Sequence, residues 1–217
     1  MKKLLSLLII FGLMACQNEK PNVNQTDNAD ELPAQTDAET SKVEKIAKEQ
    51  IPAEIKFEGD LVEARTWQSS DGEHFVIFSS RYTEESGDIF AYEFLKNGDK
   101  VQQLWSVQDE VTNCSLAKAL EFLPESFQFS DFDKNNETEV WFAYKNGCRG
   151  GMDPVDLKIL MFENGVKYEL SGKTALSEDG RNEGFKMNAA LQNAPAHFKS
   201  YFEQMWHEFQ VENLQAD

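Results

Sequence analysis

Phe129-Ser130-Asp131-Phe132-Asp133-Lys134-Asn135-Asn136-Glu137-Thr138-Glu139 is the stretch whose residue types and spacing come nearest to a defined chemistry. Counted from Asp131, side-chain oxygens fall at positions 1, 3, 5 and 9, on Asp131, Asp133, Asn135 and Glu139. The main-chain carbonyl of Glu137 adds a further oxygen. Hard divalent cations take about six to eight such oxygens, so the spacing reads as a Ca²⁺ loop of structural rather than catalytic role. Asn135 stands where a charged ligand would bind more tightly. Asn136 occupies a position that needs a left-handed backbone, which Asn tolerates better than most residues. The competing reading is an acidic hairpin turn held by Asp and Asn side-chain hydrogen bonds.

A second candidate is the loop from Lys145 to Lys158, with Arg149, Gly150, Gly151, Asp153, Asp156 and Lys158 as a binding set. Glycines with Arg, Asp and Lys in a rigidly held loop can form a site; glycines also simply let a chain cross between strands. Catalytic patterns are poor. No nucleophile-elbow serine, HExxH or phosphate loop is present, and no catalytic residue is assigned. Glu203 and His207 share a helix face at i, i+4, a pairing that is ordinarily solvated. Carboxylates are abundant enough to hide a glycosidase acid pair, but abundance is no evidence for one.

Several elements must carry these residues. Lys2 and Lys3, an apolar run from Leu4 to Ala15, and Leu13-Met14-Ala15-Cys16 read as a secretory signal (1–15) ending in a bacterial lipobox. The run is too short to span a bilayer as a helix. Cys16 is then expected to be acylated, and acyl chains give stable membrane attachment. Residues 16–50 read as a lipidated flexible tether, with a short helix possible over 41–51, and 51–217 as one globular β-rich domain. With Cys16 taken, Cys114 and Cys148 remain, and in an oxidising compartment two cysteines fit a disulfide. A metal site would want more His or Cys nearby, and a cysteine nucleophile would want a partnered His.

From Leu61 the pattern is short strands rich in aromatic and β-branched residues, bounded by turn residues such as Ser70-Asp71-Gly72, Asn97-Gly98 and Asn164-Gly165. FAYEFLKNGDKVQQLW aligns with LKILMFENGVKYELSG, the two Asn-Gly pairs lying 67 residues apart. The expected fold is mainly β (α+β), with two four-stranded antiparallel meanders like propeller blades. Two blades cannot close a ring, so the sheets must cover each other or be covered by helix. Residues from Cys114 to Leu123 are expected to form a short helix ending before Pro124. Phe198, Tyr201, Phe202, Met205, Trp206 and Phe209 mark a C-terminal amphipathic helix entered at Pro195.

The chain holds 21 basic and 38 acidic residues, a net charge of −17. Loss of Lys2 and Lys3 with the signal leaves 19 against 38, or −19, which repels phosphate backbones and argues against nucleic acid. The acidic stretch resembles the Asp-x-Asp-x-Asp-Gly loops of integrin-type propeller repeats. W-S-V-Q-D near 105, N-C at 113–114, DFDKNNETEVWFAYK, C-R-G-G-M-D-P-V-D-L-K and ILMFENGVKYELSG together resemble Bacteroidetes-type cell-envelope lipoproteins labelled as surface polysaccharide biosynthesis proteins. Asn135 and Asn136 stand where that pattern favours Asp and Gly. The resemblance implies an involvement with surface glycans and supplies no catalytic residue. The expected function is therefore a lipid-anchored, non-catalytic binding or scaffold domain of the outer membrane, periplasmic or surface-facing, with glycan or an envelope protein as partner. The rival is an envelope polysaccharide hydrolase using acidic residues; a third reading is a structural protein assembled through sheet edges.

Overall fold

Strand-forming sequences alternate between two faces, so a strand that buries both faces must be apolar almost throughout. EHFVIFSS, DIFAYEF, EVWFAY and LKILMF have that character, and they lie at the centres of two sheets. The computed structural model describes residues 42–151, 153–181 and 184–212, all within one compact unit, Pro33–Asp217. The signal, the lipobox cysteine Cys16 and the tether up to residue 41 lie outside the described residues.

The first sheet runs in chain order through β1 (Glu44–Lys45), β2 (Asp60–Gln68), β3 (Glu73–Tyr82), β4 (Gly87–Asn97) and β5 (Lys100–Val111). After it come β6 (Ala117–Lys118), β7 (Glu121–Ser130), β8 (Glu139–Asn146), β9 (Cys148–Arg149), β10 (Asp156–Glu163), β11 (Val166–Lys173) and β12 (Lys186–Met187), then α1 (Ala189–Gln192) and α2 (Ala196–Phe209). The second sheet has the order β12-β11-β10-β8-β7, and β6 pairs with β9 alone. All strand pairings are antiparallel. The fold is mainly β: two four-stranded meanders, β2–β5 and β7-β8-β10-β11, each extended by a two-residue strand.

Three apolar layers hold it together. Between the sheets lie Val76, Phe78, Ile89, Ala91 and Trp105 from the first and Phe127, Val140, Phe142, Leu160 and Phe162 from the second. Phe78 stacks on Phe127 at 4.1 Å and Trp105 on Phe162 at 4.0 Å. The second sheet turns Trp141, Ile159, Met161 and Leu170 outward, against Phe198, Phe202, Met205 and Trp206 of α2. Gly172 admits the Trp206 ring so closely that a Cβ there would sit 2.5 Å from it. The first sheet turns Phe75, Ile77, Phe90 and Phe94 outward, and Ile46 and Ile55 of the N-terminal segment cover them. Both arrangements expected of two open blades occur together, since the sheets cover each other and their outer faces are covered as well.

Three local expectations are corrected. Residues 114–123 form no helix: Leu120 and Phe122, two apart as on a strand, both enter the core between the sheets, and β7 begins at Glu121. Pro124 then falls where the β7–β8 register shifts between Leu123 and Gln128, a bulge that needs no donor there. Over 42–51, the described part of the stretch expected to be helical, the chain forms β1 and a 3₁₀ turn at Lys48–Gln50 instead of an α-helix, because Ile46 donates its backbone N–H to Ala64 on β2 and is buried at 9% exposure. The ordered body thus starts before Ile51. The Asn-Gly pairs also differ by one place. Asn164 (φ 48°) and Gly165 (φ 72°) occupy the two loop positions, whereas Asn97 pairs with Lys100 and leaves Gly98 (φ 60°) and Asp99 in the loop.

Candidate functional site

The acidic stretch is the connection between β7 and β8. It is fixed from beneath by Phe132, whose ring packs against Tyr201 of α2 at 4.8 Å and Trp141 of β8 at 5.9 Å. Asp131 accepts from the backbone N–H groups of Asn135 (2.9 Å) and Asn136 (3.1 Å), and Asp133 also accepts from Asn135 N (3.1 Å). These bonds wind the turn tightly enough to drive Lys134 (φ 60°) and Asn136 (φ 67°) into the left-handed region.

Glu139 closes the turn from below. It is fully buried; one oxygen accepts from the backbone N–H of Phe132 at 2.8 Å and the other from the Ser130 hydroxyl, which in turn accepts from Trp141 Nε1 at 2.8 Å. Asp131, Asp133 and Glu139 bring carboxylate oxygens within 4.8 Å of one another. A fourth carboxylate joins them: Glu163, at the end of β10, accepts from Asn135 Nδ2 at 2.9 Å. Burial pushes Glu139 up to about 7, against hydrogen bonds that pull it down. Burial also raises Glu163, helped by the neighbouring charges of Asp133, Glu137 and Asp131. Among the described residues no Lys, Arg or His is ion-paired with any of these four carboxylates or with Glu137.

The turn therefore gathers hard oxygen ligands that no described Lys, Arg or His pairs, Lys134 of the turn included, and such oxygens are the donor set Ca²⁺ prefers. Asn135 is placed differently from its expected part. Its Oδ1 accepts from Glu137 N at 2.7 Å, and its Nδ2 faces Asp133 (3.1 Å) and Glu163. It is a donor where a ligand must accept, so it ligates only after its amide turns over. The Asp and Asn hydrogen bonds of the simpler acidic-turn reading are present too.

The loop after β8 uses its charges internally. Cys148 is bonded to Cys114, with Cα atoms 5.6 Å apart. The next residue, Arg149, donates both terminal nitrogens to the two oxygens of Glu212, at 2.8 and 2.9 Å, and also reaches the Asp153 carbonyl. Burial would raise the Glu212 carboxyl, but the hydrogen bonds from Arg149, Thr174 and Lys145 hold it down at about 2. Lys158 is bonded to Asp109 at 2.6 Å, and Asp156 to Lys173 at 2.8 Å. Gly150 is exposed and Gly151 has φ 91°. The loop's cations thus pin the C-terminal segment and the first sheet. Glu203 and His207 lie exposed on α2.

One constellation has no signature in the sequence. His74, second residue of β3, sits with Nδ1 2.7 Å from Glu93 Oε1 on β4 and Nε2 2.9 Å from Asp71 Oδ1 in the β2–β3 turn. Trp67 of β2 stacks on the ring at 4.9 Å. Its partners lie 3 and 19 residues away, and only the β3–β4 register brings the farther one across. Glu163 was equally hidden, 28 residues from Asn135; the neighbouring hairpin turn was the only hint. No protein-family model, curated protein or solved structure matches the chain.

Proposed function

We propose that this chain is a lipid-anchored, non-catalytic cell-envelope domain that binds or scaffolds at the surface of its membrane, with surface polysaccharide as the partner class and a Ca²⁺ ion bracing its acidic turn. The anchor rests on the lipobox at Cys16, and the glycan partner on the sequence resemblance. The observation that carries the reading at the site is the convergence of Asp131, Asp133, Glu139 and Glu163 with no described cation ion-paired to them, while the cations of the other candidate loop are all committed within the chain.

The hydrolase alternative needs an acid that a sugar can touch. Glu139 has the raised pKa of such an acid, yet it is fully buried with both oxygens engaged. It serves the turn and not a substrate.

Calcium titration of the purified chain, followed by thermal denaturation, tests the ion. Binding to the folded state alone raises stability by RT ln(1 + [L]/Kd). Millimolar Ca²⁺ should raise the Tm by about a few degrees beyond NaCl at matched ionic strength, since screening of a −19 chain also stabilises it. Asp131→Ala should remove the Ca²⁺-specific part and keep the screening part. An unchanged Ca²⁺ response in that variant would leave only an acidic turn. Mass spectrometry of membrane-extracted protein tests the anchor, and a polysaccharide array tests the partner class.

A further inference from the structure

We propose that the β2–β3 turn, Ser69–Gly72, is a pH-sensitive latch, fastened to the sheet by the charged ring of His74 and released when that ring becomes neutral. A neutral imidazole has a single N–H, with its other nitrogen an acceptor. His74 faces a carboxylate oxygen on each nitrogen, Glu93 at 2.7 Å and Asp71 at 2.9 Å, and a carboxylate offers no proton. Both contacts are hydrogen bonds only while the ring is an imidazolium. The same cation holds two elements at once, the turn through Asp71 and β4 through Glu93.

Asp71 and Glu93 are the charged groups acting on the ring. β2 presents the Trp67 indole, stacked at an interplanar angle of 15°, and β4 presents Leu95 as the cross-strand neighbour. Ser69 Oγ lies 3.4 Å from Nε2, within reach of a nucleophile–base pair, but Asp71 occupies that nitrogen and accepts from the Ser69 hydroxyl as well. The serine belongs to the fastening. Burial lowers the ring's pKa, and the hydrogen bonds to Glu93 and Asp71 together outweigh it, leaving His74 above its ordinary 6.5.

Which contact breaks follows from exposure. The Glu93 side chain is 10% exposed and the Asp71 side chain 54%. Losing the donor to Glu93 strands a buried charge, whereas Asp71 can be taken up by water. The remaining proton therefore stays on Nδ1, and the neutral Nε2 repels Asp71. The turn then keeps the Asn97 amide bond to the Asp71 carbonyl (2.7 Å), the Gln68 amide bond to the Ser69 carbonyl (3.2 Å) and its internal bonds, Ser69 N–H to Gly72 (2.9 Å) and those between Ser69 and Asp71, with no charge left to fasten the Asp71 carboxylate to the sheet.

The test is a pH series on the full chain. NMR follows the His74 ring, and hydrogen exchange gives turn protection corrected for intrinsic rates. His74 should titrate above 6.5, and protection over 69–72 should fall about tenfold or more across the same midpoint. Asp71→Ala, which removes both carboxylate oxygens from an exposed side chain and leaves Nε2 no partner at that position, should show low, pH-independent protection of the turn and a His74 midpoint moved down. A midpoint at or below 6.5, or turn protection that ignores the His74 transition, overturns the latch. So does an Asp71→Ala variant that keeps the wild-type profile.

Discussion

Replacing Glu139 by Gln removes one ionisable group and little else, because the amide can still accept from the Phe132 N–H and donate to Ser130 Oγ. Glu139 has its pKa raised by burial from an ordinary 4.5 to about 7. A carboxyl raised in the folded state contributes stability that is complete below 4.5 and is lost as pH rises through 7. With about 1.36 kcal/mol per pH unit, that interval corresponds to about 3 kcal/mol. Glu139 is fully buried, so solvent screening does not reduce the figure. Urea denaturation in EDTA, at steps from pH 4.5 to pH 8, should show the Gln variant gaining on the parent by about 3 kcal/mol over the series. The comparison of the two proteins cancels the other titrating groups. A gap that is the same at pH 4.5 and pH 8 refutes the idea that an uncompensated carboxylate lies under the turn. Added Ca²⁺ should narrow the gap at pH 8 by stabilising the parent alone.

The Cys114–Cys148 bond joins residues 34 apart, and on the chain-entropy model removing it through Cys148→Ser costs about 3–4 kcal/mol, read from urea midpoints of the oxidised parent and the variant. Glu212, held down at about 2 with its side chain 3% exposed, contributes stability that is present above 4.5 and lost as pH falls through 2. Glu212→Gln should therefore be less stable than the parent by about 3 kcal/mol at pH 7, with the gap closing in an acid titration toward pH 2.

The two meanders were legible because their determinants are local: β-branched and aromatic runs, and turns that admit positive φ at Gly98, Asn164 and Gly165. Residues 114–123 misread because Leu116, Ala119, Leu120 and Leu123 fit helical spacing while Leu120 and Phe122 fit strand spacing. A disulfide and a sheet edge decided between them, and neither is a local property. The acidic turn was legible in that Asp131, Asp133 and Glu139 come together, while Asn135 is turned as a donor toward Asp133 and Glu163. Glu163, Glu93 and the burial of Glu139 were not, since each depends on which strand lies alongside. Arg149 and Lys158 were recognised as charges without their partners Glu212 and Asp109, which lie 63 and 49 residues away.

The two meanders set two solutions to one problem side by side. In each meander the connection between the first two long strands carries carboxylates close to the sheet. In the first, His74 lies between Asp71 and Glu93 and, when protonated, supplies a cation from the strand itself. In the second, the strand opens with Glu139, and no described cation is ion-paired with Asp131, Asp133 or Glu163. The proposed Ca²⁺ would fill the part that the imidazole plays in the first. If so, an internal cation should replace it. Asn135 is exposed and its amide nitrogen already lies between Asp133 and Glu163, so Asn135→Lys places an ammonium at that point. The gain in EDTA should be about 0.5–1 kcal/mol, as for an exposed ion pair, less the lost Asn135 bond to Glu137 N. The decisive readout is the Ca²⁺-specific Tm shift, which should vanish in the lysine variant even though all four carboxylates remain. A lysine variant that still answers Ca²⁺ as the parent does would place the ion elsewhere.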